Sequence, residues 1–85
     1  MKDYNSIISY QVQAHGHIDV KLREVMIARG ITRNRLSTLI GVKYDVVDRY
    51  YRAENIQMVD LDFLSRVCYV LHCDLNELLE YHPEQ

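Results

Sequence analysis

The side chains with the most chemical capacity in this sequence are cations gathered in one stretch. Residues 21 to 52 hold Lys21, Arg23, Arg29, Arg33, Arg35, Lys43, Arg49 and Arg52 against Glu24, Asp45 and Asp48, a local charge of +5. Residues 53 to 85 hold Arg66 against Glu54, Asp60, Asp62, Asp74, Glu77, Glu80 and Glu84, a charge of −6. The formal net charge of −2 averages this asymmetry away. A cationic segment suits a polyanion, because Lys and Arg neutralise phosphates and the Arg guanidinium can grip two acceptors at once. The plainer reading is of two helical regions with differently charged, solvated faces.

Other chemistries find little support. His15 and His17, with His72 and Cys73, offer nitrogen and sulfur donors, but their spacing is neither a paired CxxC nor an HxxxH pattern, and no metal centre or cofactor is expected. Cys68 and Cys73 form a CxxxxC spacing, which is no redox motif, so both read as structural thiols. Asp60 and Asp62 are a candidate carboxylate pair, yet a helix-capping role for Asp60 explains it more simply. The absence of GxSxG, P-loop and HExxH strings argues against an enzyme.

Eighty-five residues, 48% of them hydrophobic and 26% charged, fit one small folded domain. No apolar run is long enough to cross a membrane and the first residues lack a secretory core, which gives a cytoplasmic expectation. Ile8, Tyr10 and Val12 alternate with polar residues as in a half-buried strand, and a lone strand needs a partner, such as a second copy of the chain. Residues 1 to 17 are therefore read as an extension with a possible dimerisation strand, and residues 18 to 85 as the domain.

Within that domain the spacing predicts an all-α fold of five helices. Asp19 caps a first helix with Leu22, Val25 and Met26 inward and Gly30 at its end. Thr32 caps a second, with Leu36, Leu39 and Ile40 inward and Gly41 at its end. A third runs from about Lys43 to Arg52, with Val47 and Tyr50 toward the body. Asp60 caps a fourth, whose buried stripe is Leu61, Leu64, Val67, Cys68 and Leu71. Asp74 and Glu77 form a capping box for a last helix carrying Leu75, Leu78 and Leu79, with Pro83 beyond it.

Two short helices joined by a glycine turn, the second polar outside, make a helix-turn-helix, which offers its second helix to the DNA major groove. Arg33 and Arg35 add a physical argument. Cations in a helix's first turn oppose its dipole at ~0.3 to 1 kcal/mol each, and a phosphate at that end reverses the sign.

The stretches Arg29-Gly30-Ile31-Thr32, Leu36-Ser37-Thr38-Leu39-Ile40-Gly41-Val42, and Asp60 to Leu64 through Cys68, Leu71, Cys73 and Leu78 to Tyr81 resemble the phage-repressor and Cro-type (Xre) helix-turn-helix regulators over roughly residues 18 to 81. The resemblance implies a five-helix domain, usually dimeric on operator DNA, that regulates transcription. It places base reading on Tyr44, Asp45 and Arg49. By chemistry, Arg49 can take guanine O6 and N7, and Asp45 can accept from cytosine N4 or orient Arg49 across one turn. Arg33, Lys43 and Arg52 are assigned to phosphates, and Thr32 joins the same DNA-facing set. Ser37 stands where the family often has alanine, and Tyr51 and Ala53 where it commonly has glutamate and glycine, so the exit from the third helix differs from the pattern. Asp48 weakens binding unless it pairs with Lys43, Arg49 or Arg52. The rival reading is a protein-interaction module, antitoxin-like or a phage adaptor, in which Tyr44, Asp45, Asp48 and Tyr51 meet a protein partner.

Overall fold

In the computed structural model residues 15–84 are described, and the order of elements is β1 (His17–Val20), α1 (Leu22–Arg29), α2 (Arg33–Ile40), α3 (Tyr44–Arg52), α4 (Leu61–Leu71), α5 (Leu75–Leu78) and β2 (Leu79–His82). The five helices are those the spacing predicts. Their ends are set by local chemistry. Thr32 Oγ1 accepts from the Arg35 N–H at 3.1 Å, and Asp60 Oδ1 accepts from the N–H groups of Asp62 and Phe63. Asp74 and Glu77 close the capping box. Such caps typically contribute about 1 kcal/mol each. Gly41 ends α2 at φ 74°, and the N–H groups of Gly41 and Val42 both reach the Ser37 carbonyl, at 3.0 and 3.1 Å. That left-handed backbone is where glycine spares the cost a side chain would bring.

The core is one cluster drawn from every helix: Leu22, Met26, Leu36, Val47, Tyr50, Val67 and Leu78 are its most deeply buried members. Tyr50 stacks on Phe63 with ring centroids 4.2 Å apart, and its hydroxyl accepts from the Asp60 N–H at 3.1 Å. One residue of α3 thus fixes both the packing and the start of α4. Two arginines tie helix ends together: Arg66 donates to the Ile40 carbonyl at 2.8 Å, and Arg29 to the carbonyls of Leu71 and His72 at 2.9 and 3.2 Å. Each satisfies C-terminal carbonyls that have no partner within their own helix.

Several sequence expectations need correction. Leu61 is 77% exposed and Phe63 takes its place in the core. At 3.6 residues per turn, Phe63, Val67, Leu71 and Leu64 share an arc of about 100°, and Leu61 falls about 60° outside it. Leu39 lies just as far beyond Leu36 and Ile40, and it is exposed while the small Ser37 is buried. Leu75 is half exposed, and Leu79 belongs to β2 rather than to α5. Asp19 sits in β1, so the residue before α1 is Lys21, with no side-chain cap.

The strand expected at Ile8 to Val12 lies outside the described residues. A different pairing is present: β1 and β2 run antiparallel in the register His17 with His82, Ile18 with Tyr81, Asp19 with Glu80 and Val20 with Leu79. The Lys21 N–H extends the link by donating to the Leu78 carbonyl at 2.7 Å. The fold is therefore the five-helix body with a small two-stranded sheet joining its two ends. No helix among the described residues is long and apolar enough to cross a membrane.

Candidate nucleic-acid interface

The helix-turn-helix is built from its inside outward. Leu36 and Val47 are fully buried where α2 crosses α3, and Tyr50 follows Val47 one turn on. Ser37 fits beneath the turn because it is small, and its hydroxyl donates to the Asn34 carbonyl at 2.7 Å, which satisfies the buried oxygen. With one side of α3 anchored, Tyr44, Asp45, Arg49 and Arg52 are left exposed. Lys43 is the N-cap residue of α3, exposed at the mouth of the turn.

Asp48 is the organising acid of this surface. Arg52 Nε donates to its Oδ2 at 2.9 Å, and Arg33 Nη1, arriving from α2, donates to its Oδ1. The bonds from Arg52, and then those from Arg33, hold the Asp48 carboxyl below its ordinary value against the opposing effect of burial, and Asp48 in turn raises the Arg52 guanidinium. The carboxylate that threatened DNA binding is thus engaged with two cations. The trio carries a net +1 and has a defined shape.

Arg33 is further held by aromatic faces. Its guanidinium carbon lies 4.5 Å from the Tyr51 ring centroid and 5.9 Å from that of Tyr44, and Arg23 approaches Tyr51 at 5.8 Å. Such stacking is typical of Arg and favourable by roughly 0.5 to 1 kcal/mol at exposed sites. Tyr51 therefore acts as a platform for two arginines. Sequence reasoning missed Arg23 and Tyr51 in this role. Their partners come from other helices, which local spacing does not reveal.

The expected positions separate into two groups. Arg33, Arg52 and Asp48 are brought together, with Tyr44 at their edge. Asp45 and Arg49 both stay exposed and form no ion pair with each other; Arg49 lies instead along the Tyr50 ring at 5.1 Å. Thr32 spends its hydroxyl on capping α2. The dipole argument also changes. No carboxylate lies in the first turn of α2, but Asp48 supplies Arg33 with a counter-charge from α3, so of the two arginines in that turn Arg35 is the one without an ion pair among the described residues.

The unusual exit of α3 is settled by strain rather than by rearrangement. Ala53 adopts φ 55° and ψ 35°, the left-handed cap that a glycine would take, with its N–H on the Arg49 carbonyl at 3.0 Å. Asn55 follows at φ 56°. Cys68 and Cys73 are free, and burial pushes the Cys73 thiol up to about 11, which keeps it protonated and inert.

Comparison with known proteins agrees with this geometry. No curated protein matches the chain. Among solved structures, a Bacteroides fragilis protein described as DNA-binding has a TM-score of 0.66 at 19% identity, covering 75% of this chain and 100% of its own, a likeness of fold. The transcriptional regulator VanUg has a TM-score of 0.63 at 27% identity, covering 82% of this chain and 91% of its own. The family model for the Cro/C1-type HTH DNA-binding domain matches residues 21–84. With that match over most of its length and with α2, Gly41 and α3 arranged as described, the chain belongs to the family of Cro/C1-type helix-turn-helix DNA-binding domains.

Proposed function

We propose that this DNA-binding domain acts as a transcriptional regulator that lays α3 in the major groove, with Arg33, Lys43 and Arg52 on phosphates and Tyr44, Asp45 and Arg49 toward base edges. The observation that carries the reading is the Arg33–Asp48–Arg52 trio. It places two arginines from two helices on one rim of α3 in fixed positions, and fixed cations lose less freedom on meeting phosphates. Thr32 contributes by holding the start of α2, and contact with phosphate through that end is part of the proposal.

A dimer on two half-sites follows the usual geometry of this motif, in which half-sites lie about one helical turn of DNA apart. The domain in this reading spans residues 18 to 85, with residues 1 to 17 as an extension. The rival, a protein-binding surface on α3, drew on its acids. Asp48 is now engaged by two arginines, which leaves Asp45 as the one exposed acid of α3 and favours DNA. Regulation through DNA occupancy needs no catalytic group, and none is assigned. Selection of bound sequences from random duplex DNA, read with the oligomeric mass, tests the proposal: a selected half-site supports it. Recovery of no preferred sequence, with a stoichiometric protein co-purifying, favours the rival.

A further inference from the structure

Strands place alternate side chains on one face, and the antiparallel register of β1 and β2 brings His17 opposite His82 and Asp19 opposite Glu80. Four metal-ligating side chains therefore share one face of a sheet that is only four residues long. Donor atoms of His17, Asp19 and His82 all lie within 4.8 Å of one another. His17 Nε2 is 3.5 Å from Asp19 Oδ1, His82 Nε2 is 2.9 Å from Asp19 Oδ2, and His82 Nε2 is 3.6 Å from Glu80 Oε1. Ligands bound tetrahedrally to zinc at 2.0–2.1 Å stand about 3.3 Å apart, so the donors are already within about 1.5 Å of the separations a coordination shell needs.

A second observation points the same way. His82 Nε2 is shielded from solvent and has no hydrogen-bond partner, even though Asp19 Oδ2 is near it, because the approach is badly angled. An imidazole nitrogen shielded in that way is short of a partner. The two imidazoles are stacked 17° from parallel with centroids 5.0 Å apart, so holding one ion in the plane of both rings requires each ring to turn about its side-chain torsions. The torsion about Cβ–Cγ is broad and soft. Backbone positions are held by Gly16, where an added Cβ would meet the His82 carbonyl oxygen at 2.3 Å, so the strands approach closely just where the two histidines face each other.

We propose that His17, Asp19 and His82 form a binding site for a late first-row divalent cation, zinc being the representative ion, with Glu80 as the nearest fourth donor. Two imidazoles and a carboxylate suit zinc, nickel or copper better than calcium or magnesium, which prefer oxygen shells. The ion ties the strand that enters the domain to the strand that ends it. The ligands lie more than 60 residues apart in sequence, which is why no spacing motif announces them.

The test is calorimetric titration of the full chain with zinc chloride, with thermal melts and the absorption spectrum of the cobalt(II) form. The site predicts one equivalent of bound zinc and a rise in Tm on the order of 10 °C at 100-fold excess over Kd. His17→Ala and His82→Ala should each weaken zinc binding by about 10-fold or more, and Asp19→Asn should also weaken it. The altered side chains lie on a partly exposed sheet, and circular dichroism checks that each variant folds. A control variant, His72→Ala, should bind as the parent does. Absence of stoichiometric binding, unchanged affinity in both His17→Ala and His82→Ala, or a thiolate-to-cobalt charge-transfer band assigning the ion to Cys68 and Cys73 would each overturn the proposal.

Discussion

Helix α3 buries two side chains, Val47 and Tyr50, while α4, only two residues longer, buries four: Phe63, Leu64, Val67 and Leu71. Their arginines differ in the same sense. Arg66 of α4 reaches the Ile40 carbonyl and pairs with Asp62, so its charge serves the fold. Arg52 of α3 and Arg33 of α2 meet on Asp48, which leaves two cations sharing one anion at the protein's rim. One helix spends its surface on the domain and the other keeps a surface for something outside. The difference predicts that substitutions in α4 move stability, whereas substitutions on the outer side of α3 move DNA binding.

The largest expected effect belongs to the core side of that contrast. Phe63→Ala removes a ring stacked on Tyr50 and should destabilise the domain by about 3 to 5 kcal/mol, read by urea denaturation. A loss below about 1 kcal/mol would mean that the buried side of α4 does not carry the stability its packing implies. Next is Arg49→Ala, which should relax preference at one base pair by about 1 to 3 kcal/mol and leave the unfolding midpoint almost unmoved. A drop in stability with unaltered base preference would erase the contrast between the helices.

A smaller effect sharpens the account of how α3 ends. The left-handed conformation costs an L-residue roughly 1 to 2 kcal/mol, and glycine gives back part of that through chain entropy, so Ala53→Gly should stabilise by about 0.5 to 1 kcal/mol. Destabilisation instead would show that Ala53 is not strained there. The pH dependence gives the last test. The folded carboxyl of Asp48 is held below its ordinary value of 3.8, so its contribution is present above that value and lost as pH falls through the folded one. A carboxyl-detected NMR titration should find Asp48 ionised throughout the neutral and mildly acidic range. A midpoint above 3.8 would show that the pairing with Arg52 and Arg33 does not hold in solution.

Local chemistry made most of the helical fold legible. Thr32, Asp60 and Asp74 announce helix starts, and Gly30 and Gly41 announce ends, because each acts on backbone groups within a few residues. Periodicity identified α4 but not its rotation: it could not choose between Leu61 and Phe63, since that choice is made by Tyr50 from another helix. Leu39 failed because it falls about 60° beyond the face that Leu36 and Ile40 share. The β1–β2 pairing was illegible because its partners are separated in the sequence by all five helices. At the interface, the chemical types of Arg33, Lys43, Arg49 and Arg52 could be read from sequence. For Asp48 the pairing with Arg52, one turn away, was among the options the sequence offered, but the second cation was not, because Arg33 arrives from α2.

The central claim is that α3 and the arginines around it form the DNA-binding surface. Its most direct test is the salt dependence of binding to a selected duplex for the parent chain, Arg33→Ala and Arg49→Ala. If Arg33 contacts phosphate, Arg33→Ala lowers the slope of log K against log salt by about 1 and weakens all sequences alike, while Arg49→Ala acts on one sequence position. Unchanged slope and unchanged preference in both variants, with the folds intact, would contradict the account.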